Sequence, residues 1–222
     1  MANRTLTIAV RDYDHTRALA DGRVQVDGVD LKFVYISPPS QIFLRMLHDE
    51  EFDASEMSLS NYMIALGKND KRFIALPVFP SRVFRHSYIW INTRSGIREP
   101  ADLKGKKIGI ADYSMTALLF VRGLLQHEYG VAPEGVHWFR RRSEHVPIEI
   151  PKSIRLDNIA QGETLDSLLE AGALDEVQDE VLELAARGGG CGRDQASRLL
   201  GRDAVAGEGF ADRSSVRLER QH

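Results

Sequence analysis

Ser81-Arg82-Val83-Phe84-Arg85-His86 interrupts an apolar, β-branched and aromatic run, VFPSRVFRHSYIWI, that otherwise reads as buried strand. A guanidinium is not left unpaired in an apolar interior, because the desolvation penalty is large. Arg82 and Arg85 must therefore reach water, an acidic side chain such as Asp12, Asp14 or Glu56, or an anionic ligand. The planar fork of arginine grips a carboxylate through two parallel hydrogen bonds. Two arginines and His86 at the entrance of a strand point to a carboxylate site. The imidazole side chain is suited to proton transfer near neutral pH, so either His86 or His15 could act as a general acid. With Asp12 and Asp14 they could also hold a divalent ion, but no spacing here matches a metal motif.

Three further places put polar residues just beyond the C-terminal end of an apolar strand, where parallel-sheet proteins hold ligands. Asp12-Tyr13-Asp14-His15, with Arg17, follows LTIAV. Glu56-Met57-Ser58-Leu59-Ser60 follows FDA. Asp112-Tyr113-Ser114-Met115-Thr116 follows KIGI. The second and third of these set hydroxyls, Ser58, Ser60, Ser114 and Thr116, at the start of a helix. Backbone N–H groups without partners and the aligned peptide dipoles favour an anion there. Simple N-capping by the serines stands beside that reading. RRRSEH, Arg140 to His145, reads as a solvated basic loop. His48, His127, His137, His145 and His222 have no supporting context.

The elements that must position these residues alternate. LTIAV and VQVDGVDLKFVYI read as strands, the second with an Asp27-Gly28 hairpin or entry signal. QIFLRMLHDEE reads as a helix, FDASEM as a short strand and SLSNYMIALG as a helix. FIALPVFP and SYIWIN read as strands, PADLK as a short helix and KIGI as a strand. SMTALLFVRGLLQHEYG reads as a long helix, and VHWFRR as a strand. This is α/β architecture with largely parallel sheets. FLRMLHDEEFDASEM and LDSLLEAGALDEV repeat one helix–turn–strand unit, which implies two similar lobes. The expected division is a first lobe over 1–93, a partial second lobe over 94–180, and a tail over 181–222. The charged stretch Thr93 to Asp102 reads as the crossover. The tail is rich in Gly, Arg and Asp and is expected to pack poorly.

Composition narrows the class. The chain has 222 residues, a formal charge of -3 and 43% hydrophobic residues, an ordinary globular balance that gives no sign of nucleic-acid binding. No apolar run is long enough to span a membrane. The N-terminus lacks the apolar core of a secretion signal, so a cytoplasmic location is expected. The single cysteine, Cys191, excludes a disulfide framework and reads as a bystander.

The stretches AVRDYDHTRALADGRVQVDGVDL, FDASEMSLSNY, IALPVFPSRVFRHSYIWIN, GIREPADLKGKKIGIADYSMTA and GETLDSLLEAGALD occur in order over residues 5 to 175. In them the chain resembles the 4,5-dihydroxyphthalate decarboxylase family. The resemblance implies a type II periplasmic-binding-protein-like fold with two α/β lobes and a cleft. It also implies loss of CO2 from an aromatic dicarboxylate, with no cofactor. On that reading His86 is the acid, with Asp12 or Asp14 near the ring hydroxyls. Arg82, Arg85, Arg17, Glu56, Ser58, Ser60, Asp112, Ser114 and Thr116 bind substrate, and Tyr13, Phe84 and Tyr113 stack on its ring. After GALD the sequence departs from the family's pattern, which implies an incomplete second lobe. A non-catalytic carboxylate or aromatic binder serving an ABC transporter, and an inactive truncated fragment, are the alternatives. The expected partner is a small aromatic carboxylate, with neither nucleic acid nor membrane; a homo-oligomer stays open.

Overall fold

Leu6, Ile8 and Val10 alternate with smaller or polar neighbours in strand β1 (Arg4–Val10), and burial deepens along it until Ala9 and Val10 are enclosed. The computed structural model of the chain describes residues 3–83, 85 and 89–178. Phe84, His86 and the 181–222 tail, all singled out in the sequence, lie outside the described residues. The chain forms two compact units, Met1–Arg82 and Val83–His222.

In the first unit β1 is central, in the order β2-β1-β3. Strand β2 (Val29–Tyr35) runs parallel to it, from Arg4 opposite Val29 to Val10 opposite Tyr35. Asp27-Gly28 turns the chain into β2 across a single Val26–Val29 bridge, and Gly28 takes the left-handed φ of 76° that this tight entry needs. The turn is therefore a strand entry, with no full hairpin. Between β1 and β2 lies a short helix, α1 (Arg17–Ala20). Helix α2 (Pro39–Asp49) buries Ile42 and Leu47. Ile42 joins Ala9 and Phe52 in a core flanked by Val34, Ile36, Phe43 and Met46. Strand β3 (Ala54–Ser55) then pairs with the other edge of β1. Helix α3 (Leu59–Gly67) reverses the usual pattern: Ser60, Asn61 and Ala65 are buried, while Leu59, Met63 and Leu66 are exposed.

The expected strand FIALPVFP does not form. Residues 73–80 are irregular, and Ile74, Leu76, Val78 and Phe79 are exposed. Pro77 and Pro80 have no amide proton to give to a ladder.

The second unit holds a five-stranded sheet in the order β4-β8-β5-β6-β7. Its strands are β4 (Ile89–Ile91), β5 (Lys107–Ile110), β6 (His137–Arg140), β7 (Arg155–Asn158) and β8 (Glu176–Gln178). All neighbours are parallel except β4, which runs antiparallel to β8. That pairing moves the expected boundary. Ile89–Ile91 is bonded to Glu176–Gln178, so the division falls after Arg82, ahead of the expected 93, and SYIWIN belongs to the second unit. Helix α4 (Thr116–Tyr129) buries Leu118, Val121 and Leu125 in a core with Ile108, Ile110, Tyr113 and Trp138. Helix α5 (Leu165–Ala171) joins Leu165 and Leu169 to Leu174 and Val177 in a separate cluster. Gly109 sits under that cluster: a Cβ there would lie 2.6 Å from Leu174 and 2.9 Å from Leu165. Strand β7 went unforeseen, because RLDN is short, polar and partly exposed.

The helix–turn–strand repeat is present. α2 and α5 end in left-handed residues, Glu50 and Gly172. Three residues on, Asp53 and Asp175 each lead into a strand, β3 and β8, that is parallel to a neighbouring strand in its unit's sheet. Each carboxylate accepts a backbone N–H of that neighbour, from Thr7 at 2.8 Å and from Lys107 at 2.9 Å.

Candidate functional site

The loop leaving β1 is organised by one carboxylate. Glu56 accepts the Arg11 backbone N–H at 2.6 Å on one oxygen and the Tyr13 hydroxyl at 2.7 Å on the other. Glu56 follows β3, and its own N–H donates to Ala9, so the two parallel strand ends are cross-tied. Burial first, and then the adjacent Glu56, raise the Tyr13 hydroxyl well above an ordinary phenol. It stays protonated and remains a donor at neutral pH. The Tyr13 ring stacks on His15 at 5.2 Å, and the Arg11 guanidinium lies 5.9 Å from the centre of the Tyr13 ring.

Arg17 is held by Asp12, at 3.0 Å to each carboxylate oxygen, and by Asp14 at 2.9 Å. The hydrogen bond from Arg17 holds Asp12 below the usual carboxylate range. These three expected site residues thus tie one another up at the surface, with one negative charge left over. Beside them is a cavity of about 230 Å³ lined by Arg11, Asp12, Tyr35, Ile36 and Ser37. A second, of about 360 Å³, is lined by Asp12, Arg17, Ala20, Asp21, Phe33 and Tyr35. Sequence reading missed Arg11 and Tyr35. Arg11 stands at a strand's end and was available to the same argument as Asp12. Tyr35 lay inside an apolar run and gave no signal.

The serines do not cap. Ser58 occupies the N-cap position of α3 but makes no capping bond with its side chain. Its hydroxyl lies 3.1 Å from that of Ser60, and both residues are buried. At α4 the N-cap is Met115, and the Ser114 hydroxyl donates to Asp112 at 3.0 Å. Arg82 is exposed and has no ion pair among the described residues, whereas Arg85, half-buried, belongs to the second unit.

The loop leaving β5 is clamped by residues from RRRSEH, so that stretch is not the solvated loop expected. The Arg141 and Arg142 amides donate to Ile110 and Ala111, each at 3.0 Å, laying the stretch along the β5 end. Arg142 donates to Asp112 Oδ2 from Nε at 3.1 Å and from Nη2 at 2.9 Å. Glu144 accepts the Tyr113 N–H at 3.1 Å and pairs with Arg140 at 2.5 Å. β6 and β5 are parallel neighbours, so their C-terminal ends lie side by side. That adjacency is invisible in the one-dimensional chain.

Tyr113 is a correction. It was expected to stack on a ligand ring, but it is only 6% exposed and belongs to the core. Its ring meets Trp138 edge-on at 6.0 Å and carries the Arg122 guanidinium at 3.8 Å from its centre. Arg122 also donates to the Tyr113 carbonyl at 2.5 Å. Burial lowers the Arg122 pKa and raises that of Tyr113. Thr116 opens α4.

Among the described residues no group of three or more His, Cys, Asp or Glu could hold a metal ion, and no helix is long and apolar enough to cross a membrane. Each of the two strand-end loops, taken by itself, offers guanidinium groups beside carboxylates that are already engaged. That chemistry suits an oxyanion.

Comparison with known proteins follows the same line. The family described as ABC transporter, phosphonate, periplasmic substrate-binding protein matches residues 14–149. The chain is 41% identical over 183 residues to a 4,5-dihydroxyphthalate decarboxylase of Comamonas testosteroni, covering 80% of this chain and 55% of that protein. It is 39% identical to one of Pseudomonas putida, covering 80% of this chain and 70% of that protein. The chain thus spans about half the length of the first relative and about two thirds of the second. Among solved structures, the alkanesulfonate-binding protein SsuA of Xanthomonas axonopodis pv. citri bound to MOPS aligns with TM-score 0.51 at 15% identity, over 84% of this chain and 58% of that one. The fold is that of the type II periplasmic binding proteins.

Proposed function

Because the chain belongs to the 4,5-dihydroxyphthalate decarboxylase family, on a substrate-binding-protein fold, we propose that it acts on a dihydroxylated aromatic dicarboxylate, releasing CO2 from 4,5-dihydroxyphthalate to leave 3,4-dihydroxybenzoate. The observation that carries this reading is the 41% identity over 183 residues to a protein of that name.

The geometry supports it through the groups it offers a doubly negative ring. Arg82 is exposed and unpaired among the described residues, and Arg11 lines the cavity beside Tyr35 and Ser37. A guanidinium binds a carboxylate bidentately, and an aromatic wall accepts the ring's face. The chemistry then needs a proton at the carbon that bears one carboxylate. The hydroxyl para to it releases electron density into the ring as that proton arrives. The carbon–carbon bond breaks, its electron pair restores aromaticity, and CO2 leaves. The Tyr13 oxygen, whose own proton goes to Glu56, can accept a hydrogen bond from the ring hydroxyl and so support its release of electron density as the ring carbon is protonated. His86, outside the described residues, remains the proposed acid.

A second reading is binding without turnover, favoured by the match to transporter substrate-binding proteins. One experiment separates the two. The purified chain is mixed with 4,5-dihydroxyphthalate, and CO2 and 3,4-dihydroxybenzoate are followed by gas analysis and chromatography. Both products in equal amounts are expected. Calorimetric binding with no product would replace the enzyme by the binder, and neither binding nor product would remove both readings.

A further inference from the structure

We propose that Arg142 is the carboxylate ligand of the second unit, oriented by the buried Asp112 and reinforced by the positive charge of Arg122. The proposal rests on the reading above that the ligand is an aromatic acid, and it names a residue that the sequence assigned to a solvated loop.

Asp112 is 2% exposed. One of its oxygens takes Nε and Nη2 of Arg142, and the other takes the Ser114 hydroxyl. A buried carboxylate so engaged orients a neighbour; it is not free to act as a base. The Arg142 backbone is pinned too, through its amide to Ala111. Yet the Arg142 side chain keeps 34% of its surface exposed, and its Nη1 has no bond among the described residues. One edge of the guanidinium is fixed and the other is open. Such a group has already lost most of its rotamer freedom, so an arriving anion need not freeze it.

The charges around it do not cancel. Asp112 is matched by Arg142, and Glu144 by Arg140. Arg122 has only the Tyr113 carbonyl and ring, and no ion pair among the described residues. Among Arg140, Arg142, Arg122, Asp112 and Glu144, one positive charge is left over, and Arg122 is near enough to feel the charge of Asp112. The unmatched one is half-buried, where screening is weaker and the pull on an anion stronger.

The test is calorimetric titration of the full chain with phthalate, benzoate and uncharged catechol. The variants are Arg142→Met, Arg142→Lys, Asp112→Asn and, as a charge control on the exposed surface, Lys152→Met. Thermal melts show that each variant is folded. Phthalate binding should weaken about tenfold or more in Arg142→Met. It should recover partly in Arg142→Lys, weaken to a smaller degree in Asp112→Asn and stay unchanged in Lys152→Met; catechol should not discriminate. A purely structural clamp would instead lower the melting temperature of Arg142→Met and leave affinity intact, which overturns the proposal. So does a folded parent chain that binds neither phthalate nor benzoate. Loss of binding in Arg142→Met without CO2 release from the parent keeps Arg142 and removes decarboxylation. Turnover with an unchanged KM in Arg142→Met does the reverse.

Discussion

Asp175 accepts the backbone N–H of Lys107 at 2.9 Å, across a sequence separation of 68 residues. The bond fixes where β8 begins against β5, and Asp53 does the same for β3 against β1 through Thr7. Each carboxylate takes an amide proton of the neighbouring strand just before its own strand begins to pair there, at the start of β5 for Lys107 and midway along β1 for Thr7.

Removing either carboxylate should therefore loosen a strand start. Asp175→Ala and Asp53→Ala are each expected to lower stability by about 1–3 kcal/mol, while Asn keeps an acceptor and recovers part of it. Urea unfolding followed by circular dichroism measures the differences. An Asp175→Ala variant as stable as the parent would show that the bond is dispensable.

Glu176 is 2% exposed, and Gln178, on the same face of β8, is 1% exposed. Their register partners are Ile108, Ile110, Ile89 and Ile91. Among the described residues, one Glu176 oxygen and both amide atoms of Gln178 have no hydrogen-bond partner. Burial alone raises the Glu176 pKa well above the ordinary carboxylate value. The folded chain thus keeps a proton that the unfolded chain has already lost. The resulting stability is full below the ordinary carboxylate range and is lost as pH rises toward the raised folded value, by at most about 1.4 kcal/mol per pH unit. Subtracting the profile of Glu176→Gln from that of the parent, between about pH 5 and 8, isolates this slope. Glu176→Leu should be the most stable of the three at the upper end. Parallel profiles for parent and Gln variant would refute the buried, neutral carboxyl.

Two glycines should respond with opposite signs. At Gly109 a methyl group would press on Leu174, Leu165 and Val177, at 2.6, 2.9 and 3.1 Å, so Gly109→Ala should lose about 1–3 kcal/mol by overpacking. Gly123, inside α4, faces open space, so Gly123→Ala should gain up to about 1 kcal/mol of helix stability. Melting temperatures of the pair give the comparison directly.

Tyr13→Phe removes the donor to one Glu56 oxygen, and Glu56→Gln removes the charge that both donors share. Losses of about 1–3 kcal/mol are expected for each, with the double variant losing less than the sum because the two act on one bond. A double-mutant cycle in urea tests this; strict additivity would contradict the coupling.

Most of the helices were legible because their apolar residues recur at helical spacing: α2 with Ile42 and Leu47, α4 with Leu118, Val121 and Leu125, and α5 with Leu165 and Leu169. The strand assignment failed at Ile74 to Phe79, where β-rich composition contains Pro77, runs into Pro80 and finds no strand partner among the described residues. It failed the other way at Arg155–Asn158, where a polar segment becomes a strand because β6 supplies the ladder. For the site, the strand-end rule located the loops after β1 and β5 but misjudged individual side chains. Tyr113 looked presentable from its place beside Asp112 and is in fact a core residue.

Alone, the order of residues determined the alternation of helices and strands, the repeated helix–turn–Asp–strand unit and the loops in which chemistry could sit, because periodicity and turn chemistry are local properties. Only the tertiary structure decided that Ile89–Ile91 belongs with β8, that Arg17 spends its charge on Asp12 and Asp14, and that Arg142 reaches Asp112. Those outcomes depend on which strand ends lie side by side and which side chains meet there, and such long-range pairings leave no trace in local spacing.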